Sequence, residues 1–62
     1  MKKIEIGDIV TVLDTPANPY HGKVGKVVDY IHPYIYVVSF PEETESDGWF
    51  MAYQIVRGTF SV

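Results

Sequence analysis

The chain has 62 residues and a mass of 7.1 kDa, enough for one domain spanning residues 1–62. Eight acidic residues outnumber five basic ones, giving a formal charge of −3, and the apolar fraction of 47% is typical of a folded protein rather than a disordered tail. The absence of cysteine excludes disulfides, thiolate nucleophiles and cysteine-ligated zinc. No apolar run approaches the roughly 20 residues of a membrane span, and no apolar region follows the charged N-terminus as in a secretory signal. We therefore expect a small cytoplasmic domain without a membrane segment.

The first half of the chain predicts two strands joined by a loop. Residues 9–13, Ile-Val-Thr-Val-Leu, are β-branched or large and apolar and follow a Gly-Asp turn. Residues 14–22 contain two prolines, an asparagine and a glycine, which favour a loop and exclude a helix. The second strand is predicted over residues 22–31, with Gly25 at a bulge or sharp bend.

The second half predicts three more strands. Residues 34–40, Tyr-Ile-Tyr-Val-Val-Ser-Phe, are rich in residues that favour β structure. Residues 42–48 are polar and acidic and end in Asp-Gly, a favoured turn pair, so we expect an exposed hairpin loop. A fourth strand is expected at residues 49–53, and residues 52–55 have room for one 3₁₀ turn only. The last short strand is predicted over residues 59–62.

Together these elements predict an all-β domain, because no segment repeats its apolar residues at helical spacing for three turns. Short strands joined by glycine and proline turns are typical of a small barrel or sandwich. The expected core consists of apolar side chains on the inward faces of the strands: Val10, Val12, Val24, Val27, Val38, Phe40 and Ile55.

Two glycine motifs resemble the KOW-type signature of SH3-like barrels. The first reads Gly-Asp-Ile-Val-Thr-Val over residues 7–12, and the second reads Gly-Lys-Val-Gly-Lys-Val over residues 22–27. With the later strands, the resemblance extends over residues 7–56. It implies a small five-stranded SH3-like barrel with at most one 3₁₀ turn. It implies little about function, because such barrels serve in ribosomal proteins, transcription factors, peptide readers and enzyme subunits.

The aromatic residues are the richest candidate for a binding site. Nine of them in so short a chain exceed what its core can enclose, so some tyrosines should be partly exposed. Exposed aromatics favour a shallow groove that docks an extended or proline-rich peptide, as SH3 domains do. With residues 14–22 and 42–48 at its rim, the surface expected to contact a protein partner consists of Tyr20, Tyr34, Trp49 and Tyr53. In the structural alternative, Trp49 fills the barrel with Phe40 and Phe50, and the tyrosines cap its ends.

The lysines offer a nucleic-acid alternative. The basic patch would consist of Lys2, Lys3, Lys23 and Lys26. Four of the eight acids lie within residues 42–48, and without these four negative charges the net charge of −3 would become +1. Binding to a phosphate backbone relies on several neutralised phosphates, however, and RNA-binding KOW proteins usually carry more lysine and arginine than this chain. Exposed lysines also keep sheet edges soluble.

The sequence indicates neither an enzyme nor a metal site. His21 and His32 lie in separate loops, and zinc would need a third ligand near both. The three serines form no Ser-His-Asp order, and the acids of residues 42–48 lack the alternation of a calcium loop. We therefore expect a non-enzymatic chain without cofactor or metal.

Three functions remain open at this point. The first is a protein-binding module that docks a partner on the aromatic surface. The second is a KOW-like accessory protein that binds nucleic acid through the lysines. The third is a small structural or regulatory subunit that self-associates along an open strand edge at residues 59–62, so a monomer or weak homo-oligomer is expected.

Overall fold

The computed structural model describes residues 3–41 and 47–60 and shows an all-β chain. One 3₁₀ turn, η1 at Ala52–Gln54, precedes the last strand. Residues with β-branched or aromatic side chains fill most strand positions, and these side chains pack well on a pleated surface. The strands are β1 Ile9–Val12, β2 Val24–Ile31, β3 Ile35–Ser39, β4 Gly48–Met51 and β5 Ile55–Arg57.

The five strands form one antiparallel sheet of order β4-β3-β2-β1-β5. The eight-residue β2 is central, pairing with β1 through residues 24–26 and with β3 through residues 26–31. The chain extends over 25 × 24 × 18 Å. Two stacked sheets lie only about 10 Å apart, so a smallest extent of 18 Å shows that this single sheet is curled. Within residues 3–41 and 47–60 no ladder joins β4 to β5. The expected barrel is therefore not closed, whereas the five strands and the single 3₁₀ turn are confirmed.

The expected strand at residues 59–62 is wrong in position. β5 lies instead at Ile55–Arg57, where Val10 pairs with Arg57 and Thr11 with Val56. Residues 59 and 60 are outside the sheet, and residues 61–62 lie outside the part of the chain that the structure describes.

The chain leaves the sheet at Gly58. Its φ of +100° is a conformation that glycine adopts without steric cost. The hydroxyl of Thr11 then donates to the Gly58 carbonyl oxygen at 2.7 Å and accepts from the Phe60 N–H at 3.1 Å. Because Thr11 is fully buried, these two bonds hold the segment over β1 instead of letting it extend the sheet.

Gly25, expected at a bulge or sharp bend, is not at a bulge. It pairs with Val10 in a regular ladder, and the register shift lies between Val27 and Asp29. The glycine is needed for space, because a Cβ built on it would lie 2.6 Å from the Ser39 carbonyl oxygen. Its missing side chain therefore allows a close approach of β2 and β3.

The hydrophobic core lies on the inward face of the curled sheet. Val24 was expected there but is 39% exposed. It lies three positions before the buried Val27 in β2, so its side chain is on the opposite face of the sheet. The other six expected core residues are confirmed. Two aromatic side chains, Tyr36 and Phe50, complete a cluster in which every member is at most 6% exposed: Val10, Val12, Val27, Tyr36, Val38, Phe40, Phe50 and Ile55.

Candidate binding site

The loop between β1 and β2 forms one wall of the candidate site and is folded by its own hydrogen bonds. The Asn18 N–H donates to the Thr15 carbonyl at 2.9 Å, and the Asn18 Oδ1 accepts from the Tyr20 N–H at 2.8 Å. Gly22, with φ +85°, donates its N–H to the Val12 carbonyl and returns the chain to the sheet. These hydrogen bonds therefore give the loop a defined conformation.

Tyr20 connects this loop to the core. Its ring stacks on Phe40 with centroids 4.9 Å apart and meets Phe50 edge-on at 5.5 Å. Such offset and edge-to-face pairs add stability beyond the buried area alone. Tyr20 is half-buried, so the same ring supports the loop from below and contributes to the surface of the site.

A polar network joins the loop to η1 through Asp14. The Asp14 Oδ2 accepts from the Asn18 Nδ2 at 3.0 Å and from the Gln54 Nε2 at 2.8 Å. The Gln54 Oε1 accepts from the Met51 N–H at 2.8 Å, and the Gln54 carbonyl accepts from the Leu13 N–H at 2.9 Å. Gln54 is therefore fixed by both its backbone and its side chain, and it fixes Asp14 in turn.

These contacts lower the pKa of the Asp14 carboxyl below its ordinary value. The hydrogen bond from Asn18 is the main cause, followed by those from Gln54 and from the Thr15 backbone. All three donors stabilise the ionised form without neutralising it. Asp14 is consequently a fixed negative charge at neutral pH.

Between the loop and the β4–η1 segment lies an open groove of about 420 Å³, hereafter the aromatic groove. Trp49 stands on its rim with 66% of its surface exposed. The residues that line it come from the β1–β2 loop and from β4–η1: Asp14, Thr15, Ala17, Asn18, Pro19, Tyr20, Trp49, Phe50 and Gln54.

A second concavity, hereafter the tyrosine cleft, borders the same β4–η1 segment. It measures about 400 Å³ and is lined by Tyr34, Met51, Ala52 and Tyr53. Tyr34 is 52% exposed and Tyr53 is 78% exposed, and none of the described residues that line the cleft is charged. Trp49 and Met51 point outward from the same face of β4, so the segment presents apolar groups to both concavities.

The four residues expected to contact a partner therefore fall into two pairs. Tyr20 and Trp49 line the aromatic groove, whereas Tyr34 and Tyr53 line the tyrosine cleft. The expected rim at residues 14–22 supplies six lining residues of the groove. The other expected rim lies mostly outside the described residues, which include only Asp47 and Gly48 from it.

The sequence did not single out the polar members of the site. Asp14 and Gln54 meet across 40 positions of the chain, and their contact depends on the pairing of β1 with β5. Met51 was expected simply as a strand residue, although its outward position follows from its alternation with the inward-facing Phe50.

The structure describes three of the four lysines of the nucleic-acid alternative, Lys3, Lys23 and Lys26. Lys23 and Lys26 are exposed at the start of β2, and Lys26 points away from the core because its neighbour Val27 points inward. Lys3 lines a separate pocket of about 250 Å³ together with the rings of Tyr30 and Tyr36, which pack on the core side. Lys2 lies outside the described residues.

Both histidines lie in the part of the chain that the structure describes. Across residues 3–41 and 47–60, no three histidine or carboxylate side chains meet in a group suited to a metal ion. The buried Nδ1 of His21 has no hydrogen-bond partner among the described residues, while His32 is exposed in the β2–β3 turn. In the same part of the chain, no helix has the length and apolar character that crossing a bilayer requires.

Compared with known proteins, the chain matches no family model, no curated protein and no solved structure. The KOW-type resemblance therefore stays a prediction from the sequence, and the function must be argued from the geometry of the site.

Proposed function

We propose that this chain is a non-enzymatic binding module that docks a segment of a protein partner along β4–η1. The observation that carries the proposal is the exposure of three large aromatic side chains on or beside this segment. Trp49, Tyr53 and Tyr34 are 66%, 78% and 52% exposed. Tryptophan and tyrosine are the residue types most enriched at the energetic centres of protein interfaces.

These aromatics are not required to complete the core. Phe40, Phe50 and Tyr36 already fill the inward face, and each is at most 6% exposed. Trp49 and Tyr53 instead hold apolar surface in water, and covering it would contribute about 25 cal/mol for each Å² removed from solvent. A partner that covers them gains this free energy without any rearrangement of the core.

The shape of the surface supports an extended segment as the docked element. The aromatic groove and the tyrosine cleft are both open and both border β4–η1, which supplies Trp49 to one and Tyr53 to the other. Hydrogen bonds through Asn18 and Gln54 hold the walls in place. A preformed site loses little conformational entropy when it binds.

A cytoplasmic location, the absence of a cofactor and the absence of catalysis are part of this proposal. The KOW-like nucleic-acid function and the structural-subunit function are its competitors. The first requires binding through Lys2, Lys3, Lys23 and Lys26, and the second requires self-association. Both predict results in the experiment below that differ from those of a docking module.

The experiment is capture from a lysate of the organism that encodes the chain, with three immobilised baits. These are the native chain, Trp49→Ala and Phe60→Ala. Phe60 is the matched control, because it is 50% exposed but lines neither the aromatic groove nor the tyrosine cleft. Circular dichroism of each bait verifies that it is folded.

We expect a defined protein to be retained by the native chain and by Phe60→Ala and to be depleted on Trp49→Ala. Equal retention on all three baits would overturn the proposal. Nucleic acid that elutes at low salt, with no protein enriched, would also overturn it and would favour the lysines. Capture of the chain's own untagged copies alone would favour the structural subunit.

A further inference from the structure

We propose that the aromatic groove selects a docked segment that carries a positively charged side chain, lysine or arginine. Its aliphatic stem lies against Trp49, and its charged head faces the carboxylate of Asp14. This inference rests on the proposed docking function and specifies the chemistry of the partner.

The charge of the groove is the first argument. Asp14 is the one carboxylate among the nine described residues that line it, and none of these nine is basic. Neither residues 13–20 nor residues 47–56, which form the two walls, contain lysine or arginine. Asp47, exposed immediately before β4, carries a second negative charge two positions before Trp49 in the chain. A cation is thus the complementary charge for this surface.

The position of the carboxylate is the second argument. The Asp14 Oδ2 is held by two neutral amides, the Asn18 Nδ2 at 3.0 Å and the Gln54 Nε2 at 2.8 Å. These bonds keep the side chain in one orientation and leave its formal charge intact. A carboxylate fixed in advance loses no further rotamer freedom when it meets a cation.

The apolar surfaces around the carboxylate are the third argument. Trp49, Pro19 and Tyr20 line the same groove as Asp14. Tryptophan is the aromatic side chain that attracts a cation most strongly over its ring face. The long stems of lysine and arginine also bury apolar area while their heads stay near water. Neither a carboxylate-bearing nor a wholly apolar segment would use both features.

The first test uses two blocked pentapeptides that differ only at their centre. One carries arginine between four alanines, and the other carries citrulline, which has the same shape without the charge. Binding to the ¹⁵N-labelled chain is followed by NMR at the indole N–H of Trp49, the only tryptophan in the sequence. We expect the arginine peptide to bind roughly threefold to tenfold more tightly than the citrulline peptide. Equal affinities, or no saturable shift with either peptide, would overturn the inference.

The second test removes the charge of the groove. Asp14→Asn keeps an oxygen that accepts hydrogen bonds from Asn18 and Gln54, whereas Asp29→Asn removes one charge from an exposed strand position outside the groove. We expect Asp14→Asn to bind the arginine peptide no better than the citrulline peptide and Asp29→Asn to retain the preference. An equal effect of both variants would contradict a specific contact. The comparison of the two peptides on the native chain does not depend on the folding of either variant.

The two proposals fail differently. If partner capture depends on Trp49 but the native chain does not distinguish arginine from citrulline, docking stands and the selection of a cation is wrong. If capture is indifferent to Trp49, docking itself is wrong.

Discussion

Two neighbouring residues on β4, Phe50 and Trp49, show how the molecule divides its aromatic side chains. Phe50 is 4% exposed and packs with Phe40 and Tyr20, whereas Trp49 is 66% exposed on the opposite face of the strand. Strand alternation alone produces this contrast. The inward aromatic side chains therefore stabilise the curled sheet, and the outward ones are available for contacts with another molecule.

The largest loss of stability is expected when Phe50, the inward residue of the pair, is truncated. Phe50→Ala should lower the free energy of unfolding by about 3–5 kcal/mol, because it removes a buried ring and leaves a cavity. A domain of this size has a total stability of roughly 3–5 kcal/mol, so most of the variant should be unfolded at 25 °C. Far-UV circular dichroism and urea titration measure the loss, with Phe60→Ala as the exposed aromatic control. Equal stabilities of the two variants would contradict the assignment of Phe50 to the core.

The second prediction adds a methyl group where β2 and β3 approach closely. Gly25→Ala should lower the free energy of unfolding by about 1–3 kcal/mol, because its Cβ would lie 2.6 Å from the Ser39 carbonyl oxygen. Val24→Ala, one residue earlier on the outward face, should cost less than about 1 kcal/mol. Urea titration of both variants measures the difference. A larger loss for Val24→Ala would restore Val24 to the core and contradict the observed register.

The third prediction concerns the segment that crosses β1. Thr11→Val should lower the free energy of unfolding by about 1–3 kcal/mol, since it leaves the Gly58 carbonyl and the Phe60 N–H without their partner. Amide hydrogen exchange at Phe60 should accelerate in Thr11→Val and remain slow in Thr11→Ser, which keeps the hydroxyl. Unchanged exchange in both variants would show that the hydroxyl does not hold the segment.

The smallest expected effect is a pH dependence that originates at Asp14. Its pKa is lowered in the folded chain by the hydrogen bonds from Asn18 and Gln54. The ionised carboxylate therefore stabilises the fold fully above the pKa of the carboxyl in the unfolded chain, and this contribution is lost as the pH falls through the lower folded-state pKa. The melting temperatures of the native chain and of Asp14→Asn should differ most near neutral pH and should converge at acid pH. A gap that is independent of pH would exclude ionisation as its cause.

The presence of the strands was predictable from the sequence, because the alternation of side chains along a strand and the turn residues between strands are local signals. The runs around β1, β2 and β3 lie within a few residues of their expected bounds. The last strand was misplaced because Ile55–Arg57 and residues 59–62 have similar β propensity. Pairing with β1 decides between them, and the sequence does not show which segment reaches that edge.

The exposure of aromatic side chains was predictable from the sequence, whereas their arrangement was not. The chain has more aromatic residues than its core can enclose, which predicted that some of them would be exposed. Trp49, Tyr34 and Tyr53 are exposed. Their division between two concavities depends on where β4–η1 passes relative to the β1–β2 loop. The contact between Asp14 and Gln54 joins residues 40 positions apart and depends on the packing of β4–η1 beside the β1–β2 loop. No local sequence pattern predicts it.

The free energy of unfolding of Trp49→Ala, obtained by urea titration and followed by far-UV circular dichroism, decides whether the Trp49 side chain lies outside the core. If Trp49 is an outward side chain kept for contacts with a partner, the variant should lie within about 1 kcal/mol of the native chain. A loss of about 3–5 kcal/mol would show that the indole is part of the core and would contradict the division of the aromatic side chains on β4.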